Sequence, residues 1–310
     1  MTSSHTKLEA RLFMLQTRPP RLHSIALDGS DFRVLIDDLG GTPDGIQVDG
    51  AAGRIYWSNM GPDWGAPDGT IERCDLDGAD RKLIVGNGSV VTPKQITLAD
   101  GWIYWCDREG MRVMRARADG SDIQVLVRTG IGPHDAQDER RHCVGVAVDL
   151  ADRFIYWTQK GPPKGNQGCI FRAPIALPSG SSPDDRPDIE KLLDNLPEPI
   201  DLEIDPTSRM LYWTDRGGPP DGNSLNRAKI DPQGLLNREV LMRGLDEGVG
   251  LALDLFGHSV FVSELGGRIH RYDLNTGAST IVFQHGRTTG ISLMRPAIAR
   301  DNPKPEMKST

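Results

Sequence analysis

Short segments in which apolar residues alternate with small or polar ones recur along the chain. In residues 45–49, 145–149 and 250–254 every second position is Ile, Val or Leu. Successive side chains of a strand point to opposite faces, so this period of two predicts β-strands packed between neighbouring layers. The 35 glycines and 22 prolines are spread along the chain, as many tight turns require. The pattern favours an all-β fold.

An aromatic anchor recurs beside these segments, and its spacing predicts the architecture. The anchors are centred on Phe13, Tyr56, Tyr104, Tyr156, Tyr212 and Phe261. Successive anchors are 43, 48, 52, 56 and 49 residues apart. A period near fifty residues built from short strands is typical of a β-propeller, because one four-stranded blade with its turns takes about that length. Six anchors predict six blades.

The two ends of the chain predict how the ring closes. Residues 290–293 repeat the strand pattern with no anchor after them, whereas the anchor at Phe13 has no strand before it. We therefore expect the last strand to pair into the first blade, which leaves no open sheet edge inside the ring. Residues 8–295 are predicted to form this propeller of four-stranded antiparallel blades. The polar or Pro/Lys-rich segments 1–7 and 296–310 are expected to be disordered tails.

Composition and charge argue against several classes of function. The formal net charge is −7 and no long Lys/Arg run occurs, so no nucleic-acid partner is expected. No 18 consecutive residues are apolar and residues 1–7 lack the pattern of a signal peptide, so we expect a cytoplasmic protein without a membrane partner. The four cysteines occur singly, without His at ligand spacing, which predicts free thiols and no metal site.

Residues 211–215 read Leu-Tyr-Trp-Thr-Asp and contain a full YWTD motif, of which residues 55–58, 103–107 and 155–158 are degenerate copies. With these repeats the chain resembles the class B repeats of low-density-lipoprotein-receptor-type propellers over residues 8–295. The resemblance implies a six-bladed β-propeller. In such a ring Tyr and Trp fill the space between neighbouring blades.

A stand-alone propeller of this type is also similar to fungal biosynthetic proteins that include hetero-Diels–Alderases of tropolone–sesquiterpenoid pathways. That resemblance implies that an o-quinone methide, made from a hydroxymethyl tropolone, adds across an alkene of a humulene-type terpene. Such a reaction needs no metal or cofactor, because orientation of the reactants alone can contribute roughly 7–11 kcal/mol. The leading hypothesis is therefore an enzyme, a cofactor-free cyclase whose small-molecule substrate is apolar with a polar ring.

The binding site is expected at the mouth of the central channel. The loops that enter the inner strands and those that join second to third strands share this face of a propeller. Three of the second-to-third loops are long and rich in Gly and Pro, at residues 61–69, 161–168 and 217–223. The predicted site residues are Asp44, Trp64, Lys94, Gln95, His142, Asp201, Val249, Arg287 and Thr289.

Three of these residues are predicted to be catalytic. His142 is the candidate for proton transfer, because an unperturbed imidazole titrates near pH 6.5. Lys94, like Arg287, is predicted to orient an oxygen-rich substrate or to stabilise developing negative charge. Asp201 is a candidate carboxylate partner. The other residues are predicted to bind substrate, with Trp64 covering its apolar part.

Two other functions stay open. A calcium-dependent lactonase or esterase would need several convergent oxygen ligands, and Asp44, Asp201 and Glu203 supply three carboxylates. A non-catalytic propeller would use the channel face to hold a peptide or protein loop. This last function predicts a flat face without titratable groups of shifted pKa, and a deep pocket with apolar side chains would count against it.

Overall fold

The computed structural model describes residues 9–296. The predicted tails, 1–7 and 296–310, lie outside these residues except for Pro296. Within the described chain there is one short α-helix, α1 (Gly132–Ala136), and one 3-10 turn (Glu139–Arg141), and all other regular elements are strands. Neither helical element has the length or hydrophobicity of a transmembrane span.

Twenty-four strands form six sheets of four, and hydrogen-bonded neighbours within each sheet are antiparallel. Blade 1 contains β1 (Arg11–Thr17), β2 (Pro20–Ala26), β3 (Arg33–Ile36) and the last strand, β24 (Thr288–Met294). Blade 2 contains β4 (Pro43–Asp49), β5 (Arg54–Asn59), β6 (Thr70–Asp75) and β7 (Lys82–Val85). Blade 3 contains β8 (Pro93–Ala99), β9 (Trp102–Asp107), β10 (Arg112–Arg117) and β11 (Gln124–Arg128).

The remaining three blades follow the same order. Blade 4 contains β12 (Cys143–Asp149), β13 (Phe154–Gln159), β14 (Gly168–Pro174) and β15 (Glu190–Leu196). Blade 5 contains β16 (Pro199–Asp205), β17 (Met210–Asp215), β18 (Ser224–Asp231) and β19 (Gly234–Arg243). Blade 6 contains β20 (Gly248–Asp254), β21 (Ser259–Glu264), β22 (Arg268–Asp273) and β23 (Ser279–Gln284).

The ring closes in blade 1, where strands from the two ends of the chain pair. Strand β24 is antiparallel to β1, with Leu12 opposite Leu293 and Phe13 opposite Ser292. The sheet order is β24-β1-β2-β3, so the last strand is the inner strand of the first blade. The predicted all-β architecture of six four-stranded blades, closed by the C-terminal strand, is confirmed.

The Tyr-Trp pairs of the motif fill the spaces between blades. Because neighbouring residues of a strand face opposite sides, the Tyr packs toward one adjoining blade and the Trp toward the other. Each Trp shares an apolar cluster with the aromatic anchor of the preceding blade: Trp57 with Phe13, Trp105 with Tyr56, Trp157 with Tyr104, and Trp213 with Tyr156. All four Trp side chains are at most 1% exposed.

In four of the six blades the third residue of the motif links the blade to the next one through a hydroxyl group. Thr214 Oγ1 accepts a hydrogen bond from the Asp201 amide at 3.1 Å and donates one to the Val249 carbonyl of blade 6 at 2.6 Å. Ser58 Oγ likewise accepts from the Gly45 amide and donates to the Lys94 carbonyl at 2.5 Å. The same link occurs at Thr158 and Ser263. A buried hydroxyl thus fixes neighbouring inner strands relative to each other.

The fourth residue of the motif holds the loop that enters the inner strand. Asp215 Oδ1 accepts hydrogen bonds from the amides of Glu198 and Gly217 at 2.8 and 3.0 Å. Asp107 accepts from the Thr92 amide at 2.7 Å in blade 3. These carboxylates lie at the upper ends of the second strands, where the channel opens. The fourth residue of the motif therefore fixes the backbone conformation of these loops at the mouth of the channel.

Glycine allows the inner strands to approach each other closely below this mouth. A Cβ on Gly145 would lie 2.1 Å from the Ile200 carbonyl oxygen, and one on Gly290 would lie 2.4 Å from the Asp44 carbonyl oxygen. Each inner strand also changes register at this point, as between Pro43 and Ile46 in β4. The strands converge here, so the channel narrows and the mouth acquires a floor.

Replacement of the motif hydroxyl with a methyl group should destabilise the propeller. In Thr214→Val the Asp201 amide and the Val249 carbonyl lose a buried partner, which costs about 1–3 kcal/mol of unfolding free energy. Thr214→Ser retains the hydroxyl, so its free energy of unfolding should fall less than that of Thr214→Val. Chemical denaturation of both variants measures this difference, and equal stability of the two would show that the hydroxyl link does not stabilise the ring.

Candidate functional site

A cavity of about 240 Å³ lies at the mouth of the channel and is lined by residues from all six blades. Its lining residues are Thr17, Arg18, Thr42, Asp44, Met60, Trp64, Lys94, Arg108, Val144, Lys160, Ile200, Arg216, Val249, Leu265, Arg287 and Thr289. Most of them occupy two equivalent positions of the repeat. One position forms the floor and the other forms the wall.

The floor is formed by the second residue of each inner strand. Around the ring these residues are Thr289, Asp44, Lys94, Val144, Ile200 and Val249 in blades 1 to 6. The motif hydroxyls bind the backbone carbonyls of four of them. The backbone is thus constant around the floor, while the side chains are charged in blades 2 and 3 and apolar in blades 4 to 6.

The wall is formed at the upper ends of the second strands, again with one residue from each blade. These residues are Thr17, Met60, Arg108, Lys160, Arg216 and Leu265. Three consecutive blades, 3 to 5, contribute cations at this position. The wall is therefore basic above the boundary between the charged and the apolar parts of the floor.

Lys94 and Asp44 form the polar half of the floor as a buried ion pair. Lys94 Nζ donates to Asp44 Oδ1 at 2.7 Å and lies 3.3 Å from the sulfur of Met60. Gln95 Nε2 donates to the other Asp44 oxygen at 3.1 Å. Burial lowers the pKa of Lys94 to about 8, an effect that Asp44 opposes and Arg108 reinforces. The amine can therefore exchange a proton near neutral pH.

The three cations of the wall are each held by a carboxylate. Lys160 Nζ lies 2.6 Å from Glu139, which belongs to the segment between β11 and β12. Arg216 binds Glu198 at 2.5 Å and Arg108 binds Glu109 at 2.6 Å. The Arg108 guanidinium also lies over the Trp64 ring, 5.2 Å from its centre. These contacts fix the direction of the wall side chains.

Val144, Ile200 and Val249 form the apolar half of the floor. They belong to one apolar cluster, against which Leu265 of the wall packs. Each of the three is at most 4% exposed, so their positions are set by contact with one another. Because these side chains are already almost fully buried, a ligand that covers them would gain mainly packing contacts and would remove little further apolar area from water.

The structure brings together six of the nine residues predicted from sequence. Asp44, Trp64, Lys94, Val249, Arg287 and Thr289 all line the cavity. Gln95 lies behind this layer and orients Asp44. His142 and Asp201 do not line it. Six of the predicted residues therefore share one cavity, whereas the other three do not line it.

His142 has a different position from the predicted one. Its Nε2 atom lies 2.9 Å from the carbonyl oxygen of Ala136, at the end of α1. The residue of blade 4 at the floor position is Val144, two residues further along. In this structure His142 holds the segment that carries Glu139, and we correct the expectation that its imidazole faces the cavity.

Asp201 and Glu203 lie deeper in the channel, and Asp201 has a structural role. Its two carboxyl oxygens accept hydrogen bonds from the backbone amides of Leu202 and Leu251, each at 2.9 Å. Since Leu251 belongs to blade 6, Asp201 joins blades 5 and 6. Burial, with the nearby Glu203, holds the pKa of Asp201 well above its usual range. Burial also raises the pKa of Glu203 to about 7, and its Oε1 accepts a hydrogen bond from Gln47 across the channel at 3.1 Å.

The carboxylates considered for calcium do not converge. Asp44 is occupied by Lys94 and Gln95, whereas Asp201 and Glu203 bind other partners below the floor. Among residues 9–296 no group of three His, Cys, Asp or Glu side chains could hold a metal ion. Calcium takes six to eight oxygen ligands, so this donor set does not fit it.

Sequence reasoning missed the cations of the wall and part of the apolar floor. Arg108, Lys160 and Arg216 directly follow the ends of β9, β13 and β17. An alignment of the six repeats places these three cations at one equivalent position. The same alignment identifies each floor residue, because it directly precedes the closely packed position that Gly45 and Gly145 occupy. That alignment was the signal available in the sequence.

The chain is similar to known proteins over most of its length. It is 49% identical, over 294 residues, to low-density lipoprotein receptor-related protein 1 of Pyricularia oryzae, with 90% of this chain and 94% of the relative covered. The chain belongs to the family of this receptor-related protein. Cochliobolus heterostrophus has a 39% identical relative, named 3-hydroxyacyl-CoA dehydrogenase-like protein LAM1, which aligns with 81% of this chain. The alignment covers 56% of that relative's own length.

Solved structures agree with the fold of this family member. A chain from a nidogen/laminin complex superposes with a TM-score of 0.72 at 19% identity, over 93% of this chain and 99% of that one. A gluconolactonase from Xanthomonas campestris superposes with a TM-score of 0.60 at 16% identity, over 90% of this chain and 86% of that one. No family model matches the chain.

Removal of the Asp44 charge should lower the pKa of Lys94 further. In Asp44→Asn the attraction that favours the charged amine is lost, while burial and Arg108 still oppose it. A titration of ¹³C-labelled lysine by NMR should show Lys94 near pH 8 in the natural protein and lower in the variant. Asp63→Asn, in an exposed loop, is the matched control. A Lys94 signal that titrates near 10.5 in both would contradict the proposed environment.

Proposed function

We propose that this family member is a cofactor-independent cyclase that binds a small molecule with an oxygen-rich polar ring and an apolar part. The observation that carries the proposal is the division of the cavity floor. Asp44 and Lys94 provide a charged half, and an apolar half lies opposite them. A substrate of the expected kind has the same division, so one orientation satisfies both halves.

Lys94 is the residue proposed to act on the polar ring. Its ammonium group donates a hydrogen bond to a ring oxygen, and with a pKa of about 8 it can supply a proton to a leaving hydroxyl group. The hydroxyl of the hydroxymethyl group then leaves as water while its carbon stays on the ring as the exocyclic methylene, and the ring hydroxyl returns a proton to the amine. The product is an o-quinone methide, and Lys94 ends in its starting state.

The apolar floor is proposed to hold the second reactant. An alkene that lies against Ile200 and Val249 would face the heterodiene, and the two would form two new bonds without loss of any atom. Trp64 borders the cavity and is 45% exposed, so it can cover the apolar part from above. The protein's contribution is orientation and exclusion of water, for which no further group is required.

The two alternatives receive less support. The carboxylates do not converge as a calcium-dependent lactonase would need, and likeness to the gluconolactonase concerns the fold alone. A peptide-binding propeller predicts a flat face, in contrast to this cavity with its apolar floor and a lysine of lowered pKa. The receptor-related name of the Pyricularia relative favours this second alternative.

The Cochliobolus relative is named for its likeness to a 3-hydroxyacyl-CoA dehydrogenase. Dinucleotide binding in dehydrogenases uses parallel strands joined by helices, whereas all strand pairs in residues 9–296 of this chain are antiparallel. The propeller of residues 9–296 therefore does not contain the sheet type on which such dinucleotide binding is built. The name does agree with a small organic molecule as the substrate.

The reaction itself provides the test. A hydroxymethyl tropolone and humulene are incubated with the protein, and the adduct is measured by chiral chromatography with mass detection. We expect faster formation and an excess of one enantiomer, and a rate roughly 100-fold lower in Lys94→Met. Lys82→Met, whose side chain is 53% exposed on β7, is the control and should retain the rate. A racemic adduct formed at the rate in buffer would refute the proposal.

A further inference from the structure

The charges that surround the cavity do not balance. Six cationic side chains line it, and four carboxylates neutralise four of them. The pairs are Lys94 with Asp44, Arg108 with Glu109, Lys160 with Glu139, and Arg216 with Glu198. Arg18 and Arg287 remain, and within residues 9–296 neither has a carboxylate oxygen within 4.0 Å. Two positive charges are left uncompensated.

This surplus of positive charge at the cavity contrasts with the negative net charge of the whole protein. The chain has 43 acidic and 36 basic residues and a formal charge of −7, so an arginine on its surface has many carboxylates available. Two arginines without such a partner, both lining the same cavity, favour binding of an anion from solution. Positive charges that line a cleft also raise the local concentration of an anionic ligand.

Both arginines project from the blade that closes the ring, and their backbones are held together. The Thr17 amide donates to the Arg287 carbonyl at 2.9 Å, and Gln16 Nε2 donates to the Arg18 carbonyl at 2.9 Å. The hydrogen bonds hold the backbones of the two arginines at the rim of the cavity, which both residues line. Both side chains are exposed, so an anion can bind them without displacing a protein carboxylate.

The remainder of the cavity indicates which anion fits. Carboxylates are the groups that neutralise the other four cations, and the planar guanidinium fork matches a carboxylate with two parallel hydrogen bonds. Val249 and Leu265 of blade 6 lie beside blade 1 and continue into the apolar floor. A carboxylate bound to the arginine pair would therefore have an apolar surface directly next to it.

We infer that the small molecule of the proposed function also carries a carboxylate group, which binds Arg18 and Arg287. This inference rests on the proposed small-molecule function and specifies the class of molecule. The ligand would then have three points of contact: its carboxylate on blade 1, its apolar body on blades 4 to 6, and a polar group at Lys94 on blade 3. Three points fix the orientation of a molecule on the floor.

Calorimetric titration with simple probes tests the inference. Decanoate carries the proposed carboxylate, decanol is its neutral counterpart, and decyl phosphate is the alternative anion. Decanoate should bind the natural protein more tightly than either of the others. In the double variant Arg18→Gln/Arg287→Gln its affinity should fall about tenfold or more, because two charge-assisted contacts are lost, while decanol binding should not change. Arg33→Gln, exposed at the outer edge of blade 1, is the control.

Each other outcome overturns the inference in a recognisable way. Equal decanoate affinity in the natural protein and the double variant would show that the arginine pair does not hold the carboxylate, with the proposed cyclase unaffected. If decyl phosphate binds more tightly than decanoate, the anion that the arginines select is a phosphate and not a carboxylate. If neither decanoate nor decanol binds, the cavity takes no amphiphile, and the inference fails together with the small-molecule function.

Discussion

The hydroxyl link between neighbouring inner strands is the interaction on which the rest of the structure depends. A single Ser or Thr oxygen accepts a backbone amide of its own blade and donates to a carbonyl of the next, as Thr214 does between Asp201 and Val249. Both backbone groups are buried, so without the hydroxyl each would lack a partner. The link also fixes the spacing of the blades, which the Trp side chains then fill.

The same link separates architecture from function. It binds the backbone of four floor residues and leaves their side chains free to differ from blade to blade. Lys94 and Val249 are held by the same kind of hydrogen bond although one is charged and the other apolar. A regular scaffold can in this way present an asymmetric cavity, which a substrate with two different ends requires.

Electrostatics gives the cavity a character opposite to that of the whole protein. The chain is acidic, yet six cations surround the mouth. Their carboxylate partners come from loops and strand ends near the mouth, as Glu139 does for Lys160. Burial keeps the Lys94 pKa near 8, so one of these cations can also transfer a proton. Fixed cations, an apolar floor and a lysine of lowered pKa thus lie together on one face.

The sequence by itself determined the fold and predicted the face on which the cavity opens. The spacing of the anchors from Phe13 to Phe261 and the unpaired strand at 290–293 predict six blades and their closure, because local strand periodicity and repeat length are properties of the sequence. Only the tertiary structure decided which residues meet. His142 turns to the Ala136 carbonyl, and Arg108 and Lys160 converge only when the ring forms, since contacts across a channel depend on the register of separate blades.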